Sequence, residues 1–340
     1  MSSHKFSSLA IATLGLLAPF GLNAALPTAA QAGAGHNHGG GSEEALEEGE
    51  FRAMPVITLE GHGGYENNLT SEGKPAHYAI DGMGGVVMEW GLANNGSFAI
   101  EAQIGAAAVW GEAEHFYGRV EVEEEGEEET SFGEEDEESL LGEEEGEEEH
   151  EGHGGGGNPY LRTDVKAYLQ VRYEPNERLA FSAEWKPYYV TRDQGEDVKG
   201  LKNEMIYRGI YAFGDGDVNF ALGDGLESIV DGIFISAKNA TGWESTGVYL
   251  GNYTDVWPGF GFNYDKLNVT LSGGPRFYVP GSYANLPSRT DWGGEIELEY
   301  PLNKNAVLFA HWEPIYSTKG GEGWGKGFQH HVGTGVSFSF

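Results

Sequence analysis

The amino-acid sequence predicts an all-β protein, a transmembrane antiparallel up-and-down β-barrel of about 12 strands, within a range of roughly 10–14. Three observations predict it. In the closing run, Val332, Thr334, Val336, Phe338 and Phe340 alternate with Gly333, Gly335, Ser337 and Ser339, so one strand face is greasy and the other small and polar. That pairing suits a strand with lipid on one side and a wet interior on the other. Composition agrees: 54 Gly, 12% aromatic and only 39% hydrophobic residues fit an apolar band with aromatic girdles better than a helical globule. Thirdly, the connections between strand-like stretches alternate short and long, as turns on one side of a membrane and loops on the other require.

The compartment follows from residues 1–32. Lys5 gives a basic start, Leu9 to Leu22 is an apolar stretch broken by Pro19, and Ala30-Gln31-Ala32 offers a small-residue cleavage site, the layout of a signal peptide. No later stretch is long and apolar enough for a spanning helix, so membrane residence requires a closed barrel. The expected location is the bacterial outer membrane. Residues 33–52 form a flexible His/Gly/Glu-rich segment, and 53–340 the barrel. With no Cys in the chain, disulfides and thiolate chemistry are excluded.

In chain order, period-2 stretches bounded by turn residues place strands near 53–64, 77–92, 97–112, 160–174, 178–191, 203–214, 217–222, 256–265, 267–279, 291–300, 306–317 and 328–340. Asn94-Asn95-Gly96, Pro175-Asn176-Glu177, Asp215-Gly216, Asp265-Lys266 and Asn303-Lys304-Asn305 are the tight turns, assigned to the periplasm. Segments 65–76, 113–159, 192–202, 223–255, 280–290 and 318–327 are the long external loops. Net charge is −34, and between 121 and 151 there are 18 Glu and one Asp without any Lys or Arg. Such a run stays solvated and disordered, and it repels nucleic acid.

Side chains sort by face within the strands. Leu161, Val165, Ala167, Leu169, Val171 and Tyr173 alternate with Arg162, Asp164, Lys166, Gln170 and Arg172; Trp292, Ile296, Leu298 and Tyr300 oppose Glu295, Glu297 and Glu299. A Lys or Arg facing lipid near the midplane costs about 2–4 kcal/mol, so the charges point inward. They either interlock as a salt-bridged plug or line a narrow aqueous passage, and the passage is the expectation here. It predicts a passive route for small hydrophilic solutes, preferring cations.

The stretch Arg208-Gly-Ile-Tyr-Ala-Phe-Gly-Asp-Gly-Asp-Val-Asn-Phe-Ala-Leu-Gly-Asp224, with the later Gly259-Phe260-Gly261-Phe262-Asn263-Tyr264, resembles the general bacterial outer-membrane porins. The resemblance implies that the segment following it, 223–255, folds back into the barrel as a constriction. Asp224, Glu227 and Asp231 would then face Arg162, Lys166, Arg172 and Arg208 on the wall, setting up a transverse field. Those porins have more strands, about 16, so trimerisation does not carry over; a homo-oligomer stays open.

Histidine gives a second signal. His36 and His38 follow the cleavage site, while His150 and His153 close the acidic run. Imidazoles among carboxylates suit loose capture of Zn²⁺ or Cu²⁺, against the alternative of incidental histidines on solvated segments. A divalent-metal uptake channel, or a surface metal-binding barrel, is therefore the second functional reading; no resident cofactor is expected. His311, His330 and His331 lie on strands near the external end, with His331 directed inward by parity and read as lining the rim. No His-x-Ser pair or spaced calcium loop points to catalysis, so an enzyme is not expected. Four Asn-x-Thr triplets read as ordinary alternation.

Overall fold

A computed structural model describes residues 46–66, 76–111, 160–191, 200–219, 229–281, 287–320 and 326–340. The leading unit, Met1–Gly33, lies outside the described residues, as does the acidic run 113–159. Strands are β1 (Phe51–Glu66), β2 (Ala76–Leu92), β3 (Gly96–Gly111), β4 (Tyr160–Asn176), β5 (Leu179–Val190), β6 (Gly200–Ala212), β7 (Asp217–Asn219), β8 (Ile229–Glu244), β9 (Tyr249–Tyr264), β10 (Leu267–Pro280), β11 (Arg289–Asn303), β12 (Ala306–Ser317) and β13 (Gly327–Ser339). Each pairs antiparallel with its neighbours in sequence, except that β6 pairs with β8 past the short β7.

β1 pairs with β13, from Val56↔Ser339 to Glu66↔Gln329. The sheet therefore closes on itself as a 12-stranded barrel with β7 as one extra strand, and closure removes both edges. Ile57, Ile80, Ile104, Val165, Ile233, Phe260 and Val332 are exposed on the outside, while Asp81, Glu101, Asp164, Arg172, Glu184 and Lys202 are buried within. Apolar outside and charged inside is the reverse of a soluble core, and only a lipid environment satisfies it. Aromatic pairs ring both ends: Phe51–Trp90 and Trp90–Phe98, with centroids 5.0 and 5.6 Å apart, on the short-turn side, and Tyr78–Trp110 and Tyr316–Phe328, at 5.7 and 5.1 Å, on the other. These girdles mark the two interfaces of an outer-membrane barrel.

The strand total agrees with the sequence prediction, but its membership differs. Segment 217–222 does not supply a wall strand: its described residues, Asp217–Asn219, pair with the start of β8, and the Val218 N–H donates to the Glu177 carbonyl at 2.8 Å. The missing wall strand is Ile229–Glu244, inside the segment assigned to a constriction loop, and β9 begins at Tyr249, earlier than the predicted 256. Two connections consequently break the parity of loop lengths. The external β8–β9 connection is the short 245–248, and the periplasmic β6–β8 connection is the long 213–228.

The start of β8 folds inward. Val230 donates its N–H to Thr270 Oγ1 at 3.3 Å and accepts from Asn268 Nδ2 at 3.4 Å, both inward residues of β10, so the start of β8 crosses the inner surface of β9. It can do so because position 261 is Gly: a Cβ there would collide with the Val230 carbonyl. Val218, Val230 and Phe234 join Ala180, Ile210 and Ala212 in an apolar cluster inside the barrel, and Ile229 reaches Phe309 on β12. The constriction from outside, centred on 223–255, is thus replaced by an apolar infold from the periplasmic end.

Candidate functional site in the barrel lumen

Alternation puts every second side chain of the wall into the lumen, and burial follows it. In β3, Ala99, Glu101, Gln103, Ala107 and Val109 are buried; in β6, Lys202, Ile206, Arg208, Ile210 and Ala212 are. Most of the basic side chains of the wall lie on β4 to β8, interspersed with acidic ones. β4 to β8 carry Lys166, Arg172, Lys186, Lys202, Arg208 and Lys238, with Asp164, Glu174, Glu184 and Glu204 among them. The remaining wall carries Glu60, Asp81, Glu101, Glu295, Glu297 and Glu299, and its two central arginines are already neutralised. Arg276 grips Asp255 through Nε and Nη2 at 2.8 and 2.7 Å and donates to Glu313 at 2.7 Å; Arg289 donates to Asp291 at 2.7 Å.

The two walls meet across a narrow cavity at mid-lumen. Arg208 and Lys238, register partners on β6 and β8, line it on one side and Glu295 and Glu297 of β11 on the other, with Asp255 and Trp257 between. Phe234, from the apolar infold, closes its periplasmic side. Fixed charges of opposite sign face one another at this level in a region of low dielectric, where their field is strong.

The predicted site residues fall as follows. Glu295 and Glu297 join Arg208 around the cavity, and Glu299 is buried further down β11. Lys166 is held by an ion pair with Asp81, and Arg172 is buried on β4. Asp164 accepts from Tyr188 Oη at 2.7 Å and from the Thr191 N–H at 3.0 Å, anchoring the end of β5. Arg162 lies within β4. Asp231 begins β8 opposite Asp217 and accepts from Asn263 Nδ2 at 3.2 Å; it stands at the periplasmic end, not on an external constriction loop. Asp224, Glu227, His36, His38, His150 and His153 lie outside the described residues.

The acidic face of the cavity therefore comes from the wall. Lys238 was missed because its strand was read as loop; the alternation Phe234, Ser236, Lys238, Ala240 carries the signal. Also missed was a histidine group nearer the external end. His62, His311 and His331 meet there, with ring centroids 5.4 Å apart for His62–His331 and 5.2 Å for His311–His331. In the register His331 faces Glu313 and Gly64.

Residues 218–340 match the family model described as a cyanophage outer membrane protein like beta barrel domain. The matched span starts in β7 and runs to the end of the chain. No curated protein matches. Among solved structures, the chain is similar to an outer membrane channel from Pseudomonas putida F1, with 9% identity, 87% of this chain and 97% of that one covered and a TM-score of 0.45. It is also similar to the NanC porin, with 10% identity, 83% and 100% coverage and a TM-score of 0.37. A third likeness is to the translocator domain of the autotransporter NalP from Neisseria meningitidis, with 11% identity, 87% and 90% coverage and a TM-score of 0.36. At such TM-scores none of these likenesses bears on what the chain does. The closed barrel, its lipid-facing exterior and the matched family description together place the chain in the outer membrane.

Proposed function

We propose that the chain is an outer-membrane channel that passes small hydrophilic solutes by passive diffusion and prefers cations. The observation that carries this reading is the charged lining of the lumen, where Arg208 and Lys238 face Glu295 and Glu297 inside a lipid-facing wall. Burying so many charges in a merely structural barrel is expensive unless water and solutes share the lumen. Entering cations first meet the acidic segment 113–159, which concentrates them within about 8 Å of its charges at physiological salt. The opposed walls then orient dipolar solutes, and the apolar residues around Phe234 set the size limit.

Liposome swelling tests the reading. Vesicles carrying the purified chain should swell faster in a small cationic or zwitterionic solute than in an anionic one of the same size, and slower as size increases. Swelling equal to that of empty vesicles for every solute overturns it.

A second reading, divalent-metal uptake, is favoured by the position of His150 and His153 directly after the acidic run and of His36 and His38 near the start. Deleting 121–157 should then weaken zinc capture by intact cells, whereas a merely solvated loop leaves zinc capture unchanged.

A further inference from the structure

The histidine group near the external end of the lumen is built from three strands that the closure of the barrel brings together. His62 and His311 flank Gly333 in the register of β1, β13 and β12, and His331 lies two residues along the same β13 face. Gly333 makes room for His311 and Glu60. A Cβ at this position would overlap the His311 ring and the Glu60 carboxylate, so any larger residue would push these side chains off the wall.

His62 is oriented from behind. Its Nε2 lies 3.0 Å from Asp81 Oδ2, and Asp81 is itself held by Lys166. A carboxylate accepts, so His62 carries its proton on Nε2 and turns the lone pair of Nδ1 toward His331. That nitrogen lies 3.3 Å from His331 Nε2. Two imidazole nitrogens bound at about 2.0–2.1 Å to one tetrahedral zinc stand roughly 3.3 Å apart. The spacing for a shared metal is therefore in place, and a carboxylate on the far nitrogen is the arrangement that fixes the tautomer of metal-binding histidines.

We propose that His62 Nδ1 and His331 Nε2 bind a divalent transition-metal cation of the Zn²⁺ class inside the lumen, with Asp81 as the positioning residue. His331 then carries its proton on Nδ1. His311 and Glu60, whose Nε2 and Oε1 lie 3.8 Å apart, stand beside the pair, with the His311 ring 5.2 Å from that of His331. Among the described residues no group of three His, Asp or Glu side chains is placed to hold a metal ion, so the proposed site has two protein ligands and its other positions would fall to water. Such a site holds a cation in exchange with the lumen, not as a structural ion. It involves none of the terminal or loop histidines, and binding does not depend on whether the lumen conducts.

Zinc titration calorimetry on the full chain, folded in detergent, tests the proposal. His62→Ala and His331→Ala should each weaken the tightest zinc site by at least about 10-fold, and Asp81→Asn by roughly 10–100-fold. His330→Ala, which alters the ring stacked outside on Phe328 and Trp312, should bind as wild type does. Strand content by circular dichroism confirms that each variant is folded; should an alanine variant fail there, His331→Gln carries the same comparison. Zinc binding that is unchanged in the His62 and His331 variants, or equally weakened in His330→Ala, overturns the proposal.

Discussion

Phe340 donates its backbone N–H to the carbonyl of Pro55 at 3.1 Å, so the last residue of the chain is fastened to the first strand. With Ser339 opposite Val56 and Phe338 opposite Ile57, this bond completes the cylinder. The lipid-facing exterior and the charged lumen both depend on that closure, because an open sheet would leave two unpaired edges in hydrocarbon.

Closure can be trapped covalently. Thr58 and Ser337 are register partners, both buried in the lumen, and Cα atoms of antiparallel partners stand about 4.5–5.5 Å apart, within disulfide range. Because the chain has no cysteine, a Thr58→Cys, Ser337→Cys double variant should form a single intramolecular disulfide on oxidation. A mobility shift on denaturing gels that reverses with reductant reads this out.

The lipid-facing assignment predicts a dependence on depth. Ile104, 65% exposed, sits midway along β3, so Ile104→Arg should destabilise the barrel by about 2–4 kcal/mol in bilayers. Tyr264, at the periplasmic rim, should tolerate Arg at a cost of roughly 0–1 kcal/mol. Denaturant unfolding in lipid vesicles compares the two.

The apolar infold contributes to stability and, on the proposed function, limits the passage. Phe234 is 3% exposed and packs with Val218 and Val230. Truncation to Ala should cost about 3–5 kcal/mol and, in those molecules that fold, raise single-channel conductance. Unfolding midpoints and bilayer recordings measure the two effects separately.

Opposed charges around the cavity predict opposite effects on ion preference. Glu297→Gln should lower the cation-to-anion permeability ratio, and Lys238→Gln should raise it. Reversal potentials in a salt gradient give both signs, and the differences should shrink at high salt as screening sets in.

The wall was legible where outward positions are apolar and inward ones polar, as in β3, β4 and β11. It was illegible in β8 and in the first half of β9, where outward positions carry Asn239, Thr241, Asn252 and Thr254. There the polar groups satisfy one another across the strands. Asn239 Nδ2 donates to Asn252 Oδ1 at 3.2 Å and to Thr254 Oγ1 at 2.8 Å, and Asn252 Nδ2 donates to Thr241 Oγ1 at 2.7 Å. Cross-strand pairing of this kind has no one-dimensional signature, so a wall strand read as loop. The reverse error at 217–222 arose because Asp-Val-Asn-Phe alternates as a strand does, although its partner lies inside the barrel.

The lumen was partly legible for the same reason. Parity alone directs Arg208, Glu295 and Glu297 inward, but which charges face one another depends on the closure of the sheet. The meeting of His62 with His331 joins strands at opposite ends of the chain, and the β1–β13 register brings them together.

Single-channel recording in planar bilayers tests the central claim most directly. The purified chain should produce discrete conductance steps, with a reversal potential in a salt gradient that reports cation preference. A membrane that contains the folded barrel, shown by its strand content, and yet passes no stepwise current would contradict the account.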